Sequence, residues 1–286
     1  MPKNPPEESG KAESSTDFVS SLAKGLDVLQ AFSHDQPELT LSEVAEIVGI
    51  TPAAARRSLL TLKTLGFVTS HGRSFLLAPR VLRLSEAFLS SVSMQEVMHQ
   101  FLQTVVDTTG DSSSVAVLDG TEILYIASVS AKRNYQLTPT IGTRYPAYCT
   151  SLGRALLAFS PPETVDRVLG RGKLEALTEY TETDPDRIRE QLRAARRSGI
   201  AGNQEELAYG VVSMAMPILD RHGVAVASVN CSTSPARTDL ETMLATRAGV
   251  LADARDRISA ALAQHPVLFH SVLGARADAQ AGSGPL

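Results

Sequence analysis

Two adjacent arginines, Arg56 and Arg57, lie in the segment Ile47–Ser85, which contains no Asp or Glu. The same segment also holds Lys63, His71, Arg73, Arg80 and Arg83. The whole chain has a formal net charge of -4, so this positive charge is a local patch and not a general property of the chain. Arginine side chains bind guanine edges and phosphates, and small residues such as Ala53 and Ala54 let a helix approach bases closely. The pattern therefore indicates a DNA-binding helix.

A second group with possible chemistry begins at Thr150 and Ser151 in "CTSLGR". Hydroxyl groups and main-chain N–H donors at the start of a helix are suited to a carboxylate ligand. The same two residues are also ordinary helix caps, so both interpretations stay open at this point.

The elements that position the arginines are three short helices followed by a hairpin. Val19, Leu22, Leu26, Leu29 and Phe32 recur at helical spacing and predict a buried stripe on the first helix. A second helix, which Thr40 or Ser42 can cap, ends at Gly49. The third begins with Thr51 as N-cap and Pro52 at its first position. "FVTSHGRSFLLAP" then predicts two strands joined by a turn at His71-Gly72. Together these elements predict a winged helix-turn-helix domain over residues 18–80.

The pattern changes along the rest of the chain. Helical spacing over 81–110 predicts linker helices, and residues 111–273 alternate extended segments with helices. Turns at Asp119-Gly120 and His222-Gly223 predict two hairpins, so the fold class expected here is α+β. Residues 1–17 and 274–286, rich in small and polar residues, are expected to be flexible tails.

Composition excludes several classes of protein. Cys149 and Cys231 are far apart and without metal-ligand spacing, so no zinc site, disulfide framework or cofactor is predicted. No apolar run approaches the roughly 18 residues of a membrane span, and no membrane partner is expected. A reducing cytoplasmic location fits best.

At the level of motifs, the chain resembles the IclR family of bacterial transcriptional regulators along roughly Phe18 to Leu273. The resemblance is carried by "SLAKGLDVLQAF", "LTLSEVAEIVGITPAAARRSLLTLKTLGFV", "VLRLSEAFLSS", "GTRYPAYCTSLGRALLAFSP", "YGVVSMAMPI" and "VASVNCST", in the family's order. "LTLSEVA", "AARRSLLTL" and "VNCSTSPAR" are most similar to the branch that controls aromatic-acid breakdown through the β-ketoadipate pathway.

This resemblance implies a regulator that binds double-stranded DNA at a pseudo-palindromic operator, as a homodimer or a dimer of dimers. The implied DNA-contacting residues are Thr40, Thr51, Pro52, Ala53, Ala54, Arg56, Arg57, Thr61 and Arg73.

The resemblance further implies a GAF-like C-terminal domain that binds a small organic acid as effector. The implied effector-binding residues are Cys149, Thr150, Ser151, Glu205, Ser213, Asn230, Cys231 and Ser232. Arg133, Arg144 and Arg154 are candidates for pairing with the acid, although Arg154 is equally consistent with a surface or dimer contact. Asn203-Gln204 departs from the acidic residue with which many relatives begin this segment, which leaves the polarity of the effector open.

Two other interpretations compete with a gated regulator. In the first, the α+β domain is an enzyme with Cys149 as nucleophile, but the sequence contains no G-x-S-x-G, H-E-x-x-H, P-loop or G-x-G-x-x-G motif. In the second, the chain is a sensor or interaction module that does not bind DNA, which leaves the acid-free basic segment unexplained.

Overall fold

The computed structural model describes residues 18–33, 36–90, 94–131, 139–170 and 172–264. The predicted tails and the candidate Arg133 lie outside these ranges. The chain divides into two compact units between Phe88 and Leu89, a position within the predicted linker segment.

The first unit is a winged helix-turn-helix. Its elements are α1 (Ser20–Gln30), β1 (Glu38–Thr40), α2 (Leu41–Val48), α3 (Pro52–Thr64), β2 (Val68–His71) and β3 (Ser74–Leu77), followed by α4 (Leu82–Ser90). The strands form an antiparallel sheet in the order β1-β3-β2. The third strand, β1, was not expected from the sequence.

A small apolar core holds the three helices together. Ala55, Leu59 and Leu62 are buried on one face of α3, where their three- and four-residue spacing places them together. The buried stripe predicted for α1 is wrong in its N-terminal half. Val19, Leu22 and Leu26 are exposed. Val28, near the C-terminal end of α1, and Phe32, just after that end, are buried in the core. The core of this unit takes Val28, Ala31 and Phe32 and has Leu29 packed against it, and no described contact packs the first turns of α1 on that core.

The hairpin of the wing turns one residue later than predicted. His71 pairs with Ser74, so the turn residues are Gly72 and Arg73. Gly72 has φ +58°, a left-handed conformation that glycine adopts without steric cost.

The second unit is an α+β domain, as predicted. Its elements are α5 (Met94–Thr109), β4 (Ser112–Asp119), β5 (Glu122–Val129), β6 (Arg144–Pro146), α6 (Ser151–Ala158), α7 (Pro162–Leu169), α8 (Pro185–Ser198), β7 (Ala201–Gln204), β8 (Val212–Leu219), β9 (Ala225–Thr233) and α9 (Leu240–Gln264). The six strands form an antiparallel sheet in the order β6-β5-β4-β9-β8-β7.

Helices cover both faces of this sheet. Helices α5 and α9 contact each other and pack on one face, and α6 lies on the other face, between β8–β9 and α8. On the α5–α9 side, the fully buried carboxylate of Asp111 accepts hydrogen bonds from Arg237 at 2.6 Å and Arg247 at 3.1 Å. In the described part of the chain, no helix has the length and apolarity needed to cross a bilayer.

Candidate functional sites

The turn between α2 and α3 is fixed by caps on both helices. Thr40 and Glu43 form a reciprocal capping box at the start of α2, in which the Thr40 N–H donates to the Glu43 carboxylate at 2.7 Å. Gly49 ends α2 with φ +69°, and Thr51 accepts from the Ala54 N–H at 3.3 Å to begin α3. These contacts set the direction in which α3 leaves the turn. Thr40 and Thr51 therefore have structural roles in addition to any contact with DNA.

The outer face of α3 is exposed and positively charged. Pro52, Ala53, Arg56 and Arg57 are exposed at its N-terminal half, and Ala54 is half-buried beneath them. Neither arginine pairs with a carboxylate or hydrogen-bonds another described residue through its side chain.

Some other polar side chains of the same unit already make contacts within it, and others do not. Thr61, on the exposed side of α3, donates its hydroxyl to the Arg57 carbonyl at 2.8 Å. Lys63 donates to Ser70 at 2.5 Å and Arg80 lies over the Phe67 ring, so these two cations are already held within the unit. Arg73 is exposed at the tip of the wing.

The second unit contains a pocket where the start of α6 meets the sheet. Residues from β5, β6, α6, β7, β8, β9 and the loop before β8 surround it. The lining residues are Tyr125, Pro139, Tyr145, Thr150, Ser151, Leu152, Asn203, Leu207, Val211, Ser213, Asn230 and Ser232.

The start of α6 supplies hydrogen-bond donors to this pocket. The Thr150 hydroxyl caps the helix by accepting from the Gly153 N–H at 3.0 Å. The main-chain N–H groups of Ser151 and Leu152 precede that bond and have no acceptor among the described residues, although both residues are buried. Ser213 donates to the Ser151 hydroxyl at 2.8 Å, which leaves the Ser151 proton available to a ligand.

Strand β9 contributes a row of polar residues to the same pocket. Ser228, Asn230 and Ser232 alternate along the strand, and Ser228 donates to the Leu152 carbonyl at 3.0 Å, so this row faces α6. The side-chain Oδ1 of Asn230 accepts from the Ser114 N–H at 2.8 Å, whereas its side-chain N–H₂ has no acceptor among the described residues. Asn230 therefore presents donors to the pocket.

Two tyrosines form one wall. The rings of Tyr125 and Tyr145 meet edge to face, with centroids 5.9 Å apart. Burial raises the pKa of both phenols, so each keeps its proton at neutral pH. Sequence reasoning missed both residues, and also Asn203, whose amide donates to the Cys149 carbonyl at 2.7 Å. Tyr125 lies in the continuous apolar run Ile123–Ala127, where no alternation distinguishes the residues that face the pocket.

Five of the eight residues assigned to the effector line the pocket, namely Thr150, Ser151, Ser213, Asn230 and Ser232. Cys149, Glu205 and Cys231 do not. Glu205 has φ +57° and its carboxylate accepts from the Gly210 N–H at 2.8 Å, so its side chain closes its own loop.

The two cysteines are buried on opposite sides of the sheet. Cys149 lies within the core around α6, whereas Cys231 points from β9 towards Thr109 and Asp111. Burial raises the pKa of each thiol to about 12, so neither forms appreciable thiolate at neutral pH. This geometry does not support a nucleophilic role for Cys149.

Neither described candidate arginine reaches the pocket. Arg144 pairs with Asp119 and Glu122 at the edge of the sheet, at 2.9 Å from each. Arg154, which the sequence left open as a partner of the acid or as a surface or dimer contact, is buried and paired with Glu206. The surface interpretation of Arg154 is wrong because its partner, 52 positions away, allows the charge to be buried.

Comparison with known families agrees with both units. The model of the IclR helix-turn-helix domain matches residues 21–72, and that of the bacterial transcriptional regulator IclR C-terminal domain matches residues 86–260. The chain belongs to the IclR family. This IclR-family chain is therefore a transcriptional regulator, and its family is one of regulators and not of enzymes.

Similar regulators indicate which branch of the family this chain resembles. The regulator is 39% identical over 222 residues to the Pca regulon regulatory protein of Pseudomonas putida, covering 77% of this chain and 76% of that one. It is 36% identical over 226 residues to the p-hydroxybenzoate hydroxylase transcriptional activator of Acinetobacter baylyi, covering 77% and 83%. The regulator thus resembles the branch that controls aromatic-acid catabolism.

Solved structures agree with the fold. A transcriptional regulator from Rhodococcus sp. RHA1 superimposes with TM-score 0.70 at 42% identity, covering 86% of this chain and 99% of that one. The inducer-binding domain of a double mutant of PobR from Acinetobacter, in complex with 3-hydroxybenzoic acid, gives TM-score 0.53 at 27% identity, covering 58% and 97%.

Proposed function

We propose that this regulator binds a pseudo-palindromic operator through α3 and the wing, and that a small aromatic acid in the pocket changes its affinity for that DNA. The observation that carries the proposal is that Ser151 and Leu152, whose main-chain N–H groups have no acceptor among the described residues, line the pocket together with two tyrosines.

The DNA part of the proposal rests on the unpaired arginines. In a helix-turn-helix the second helix of the pair enters the major groove with its N-terminal residues against the bases. Ala53 and Ala54 let the main chain of α3 approach, and Arg56 and Arg57 reach bases or phosphates. Arg73 at the tip of the wing reaches the backbone beside the groove. These assignments give a role to Arg56 and Arg57, the two α3 cations whose side chains bond no other described residue.

The ligand part rests on the chemistry of the pocket wall. A carboxylate that accepts from the Ser151 and Leu152 N–H groups lies at the positive end of the α6 dipole. The Ser151 hydroxyl and the Asn230 amide supply further donors. Tyr125 and Tyr145 offer an aromatic surface and two phenol groups, which suit a ring bearing a hydroxyl group. The structural relative bound to 3-hydroxybenzoic acid supports the same class of ligand.

Gating requires that the acid bind two states of the regulator with different affinity, because a ligand that binds both equally shifts nothing. In a homodimer, or a dimer of dimers, two DNA-reading heads meet two half-sites. The acid then acts by favouring one spacing of these heads.

Fluorescence anisotropy of the purified protein on DNA from upstream of its own gene, compared with a scrambled duplex, tests the proposal. Titrations across a salt series, with and without 4-hydroxybenzoate, protocatechuate or 3-hydroxybenzoate, separate base recognition from phosphate attraction. We expect a preference for the upstream duplex that persists as salt rises and shifts with at least one acid. Equal, steeply salt-dependent binding to both duplexes, unaffected by all three acids, would contradict the proposal.

A further inference from the structure

We infer that the buried Arg154–Glu206 ion pair is a positioning pair. It holds the loop that forms one wall of the effector pocket against α6, the helix whose start is proposed to bind the ligand. The inference rests on the proposed function, because it concerns the same pocket. Neither residue lines that pocket.

Both residues of the ion pair make a further hydrogen bond to the main chain. Arg154 donates from its two terminal nitrogens to the two carboxylate oxygens of Glu206, at 2.5 and 2.6 Å, and from Nε to the Tyr148 carbonyl at 2.8 Å. Glu206 also accepts from the Glu182 N–H at 3.0 Å. Because its guanidinium is paired with Glu206 and does not line the pocket, Arg154 is not placed to pair with the acid itself.

The two residues lie on elements that form different parts of the pocket wall. Arg154 lies one turn after Ser151 in α6, the helix whose first N–H groups face the ligand. Glu206 begins the loop that carries Leu207 and Val211 to the pocket wall. The ion pair therefore joins the donors of the pocket to its apolar wall.

Away from α6, the loop is held by residues 178–181. Near its far end, the Tyr209 hydroxyl accepts from the Glu179 N–H at 3.4 Å and the Tyr209 ring meets the Tyr180 ring edge to face. Thr178 donates to the Glu205 carbonyl and Thr181 to the Glu206 carbonyl, each at 2.6 Å, and Glu205 pairs with Gly210 and Val211 within the loop. Among the described contacts, the bond from loop to α6 is made by Arg154. A bidentate arginine–carboxylate pair fixes orientation as well as distance, which suits this role.

The cost of burying two charges supports a role beyond stability. A buried ion pair contributes little net stability relative to apolar residues of similar size, whereas loss of one partner is strongly destabilising. Replacing both partners with apolar residues therefore leaves no unpaired charge and removes the directional link, at the cost of the hydrogen bonds to the Tyr148 carbonyl and the Glu182 N–H.

The test is the double variant Arg154→Met/Glu206→Met. We expect it to fold, with a Tm lowered by the loss of the bonds to Tyr148 and Glu182, and to bind the upstream duplex unchanged without ligand. Its affinity for the acid that binds the wild type is expected to fall at least roughly tenfold in calorimetry. The double variant Arg189→Gln/Asp166→Asn removes an ion pair between α7 and α8 and serves as the control, with wild-type affinity expected.

A wild-type ligand affinity in the Met/Met variant would overturn the inference. If that variant does not fold, Arg154→Lys keeps the charge but loses the bidentate geometry, and we expect a smaller loss of affinity with the fold retained. An Arg154→Lys protein that binds the acid as tightly as the wild type overturns the inference equally.

Hydrogen exchange provides a readout that needs no ligand. The amides of residues 207–211 should exchange faster in the Met/Met or Lys variant than in the wild type, while those of β8 and β9 remain protected. Unchanged exchange in this loop would overturn the inference. Failure of all three acids to bind the wild type would instead contradict the proposed ligand class, so the two failures are distinguishable.

Discussion

Asn230 and Cys231 are adjacent in β9, yet their side chains lie on opposite faces of the sheet. Asn230 lines the effector pocket beside α6, whereas the Cys231 thiol lies 3.7 Å from the Asp111 carboxylate on the α5–α9 side. A single strand therefore forms part of the pocket and part of the opposite helical layer. A shift of β9 on ligand binding would displace residues on both faces of the sheet, because close-packed interiors transmit strain.

The Arg57→Ala variant is expected to bind the upstream duplex more weakly by about 1–3 kcal/mol at matched salt, because an unpaired cation on the DNA-reading face is lost. Anisotropy titration measures this change. Arg193→Ala is the matched control, since Arg193 is exposed on α8 in the other unit and its loss changes the net charge equally. Equal affinity of the Arg57→Ala and wild-type proteins for the upstream duplex would contradict the assignment of α3 as the DNA-reading helix.

Ser213→Ala and Ser232→Ala are each expected to weaken effector binding by about 0.5–1.5 kcal/mol, the typical contribution of one hydrogen bond. Binding of apo protein to DNA should not change. Calorimetry with the acid that binds the wild type measures the effect, and Ser198→Ala, whose hydroxyl bonds within α8, is the control. If both pocket variants bind the acid normally, the ligand binds elsewhere.

Gly153→Ala is expected to destabilise the protein by about 1–3 kcal/mol, because overpacking against main chain forces the helix to move. A Cβ at this position would lie 2.1 Å from the Ala147 carbonyl oxygen and 2.5 Å from the Ala147 Cα. Thermal unfolding followed by circular dichroism measures the loss.

The matched control is Gly249→Ala in α9, where an added Cβ meets nothing within 4 Å. There the higher helix propensity of Ala should stabilise the protein by about 0.5–1 kcal/mol. Equal Tm changes in the two variants would mean that α6 does not approach Ala147 this closely.

Cys149 and Cys231 should resist alkylation by iodoacetamide at pH 8 in the native protein and react in urea, because only the thiolate is nucleophilic. Mass spectrometry of the intact protein measures the modification. Rapid labelling of either thiol in the native state would contradict their burial.

The same thiols predict a loss of stability at high pH. Both have pKa values raised from 9.0 to about 12, so between these values the unfolded chain has lost protons that the folded protein keeps. The unfolded state then binds fewer protons, and stability falls as pH rises from about 9 towards 12. Between pH 8 and pH 10 the Tm of the wild type should fall more than that of Cys149→Ala/Cys231→Ala. An equal fall in Tm would show that groups other than the two thiols cause the loss of stability at high pH.

Local patterns in the sequence were sufficient for the elements and the fold class. Capping residues at Thr40 and Thr51, the glycine at Gly49 and the change from helical to alternating spacing act within a few residues, so they can be found without knowing the tertiary contacts. The same reasoning missed β1, a strand of three residues whose pairing with β3 depends on a partner about 35 positions away in the register.

The sequence by itself determined that α3 presents Arg56 and Arg57 on an acid-free surface, because helix periodicity and local charge are properties of neighbouring residues. Only the tertiary structure decided which residues surround the pocket. Antiparallel pairing brings Tyr125, Asn203 and Asn230 together from three separate strands. It also decided that Arg154 is buried, since the free energy of burying a charge depends on a partner, Glu206, that no local pattern specifies.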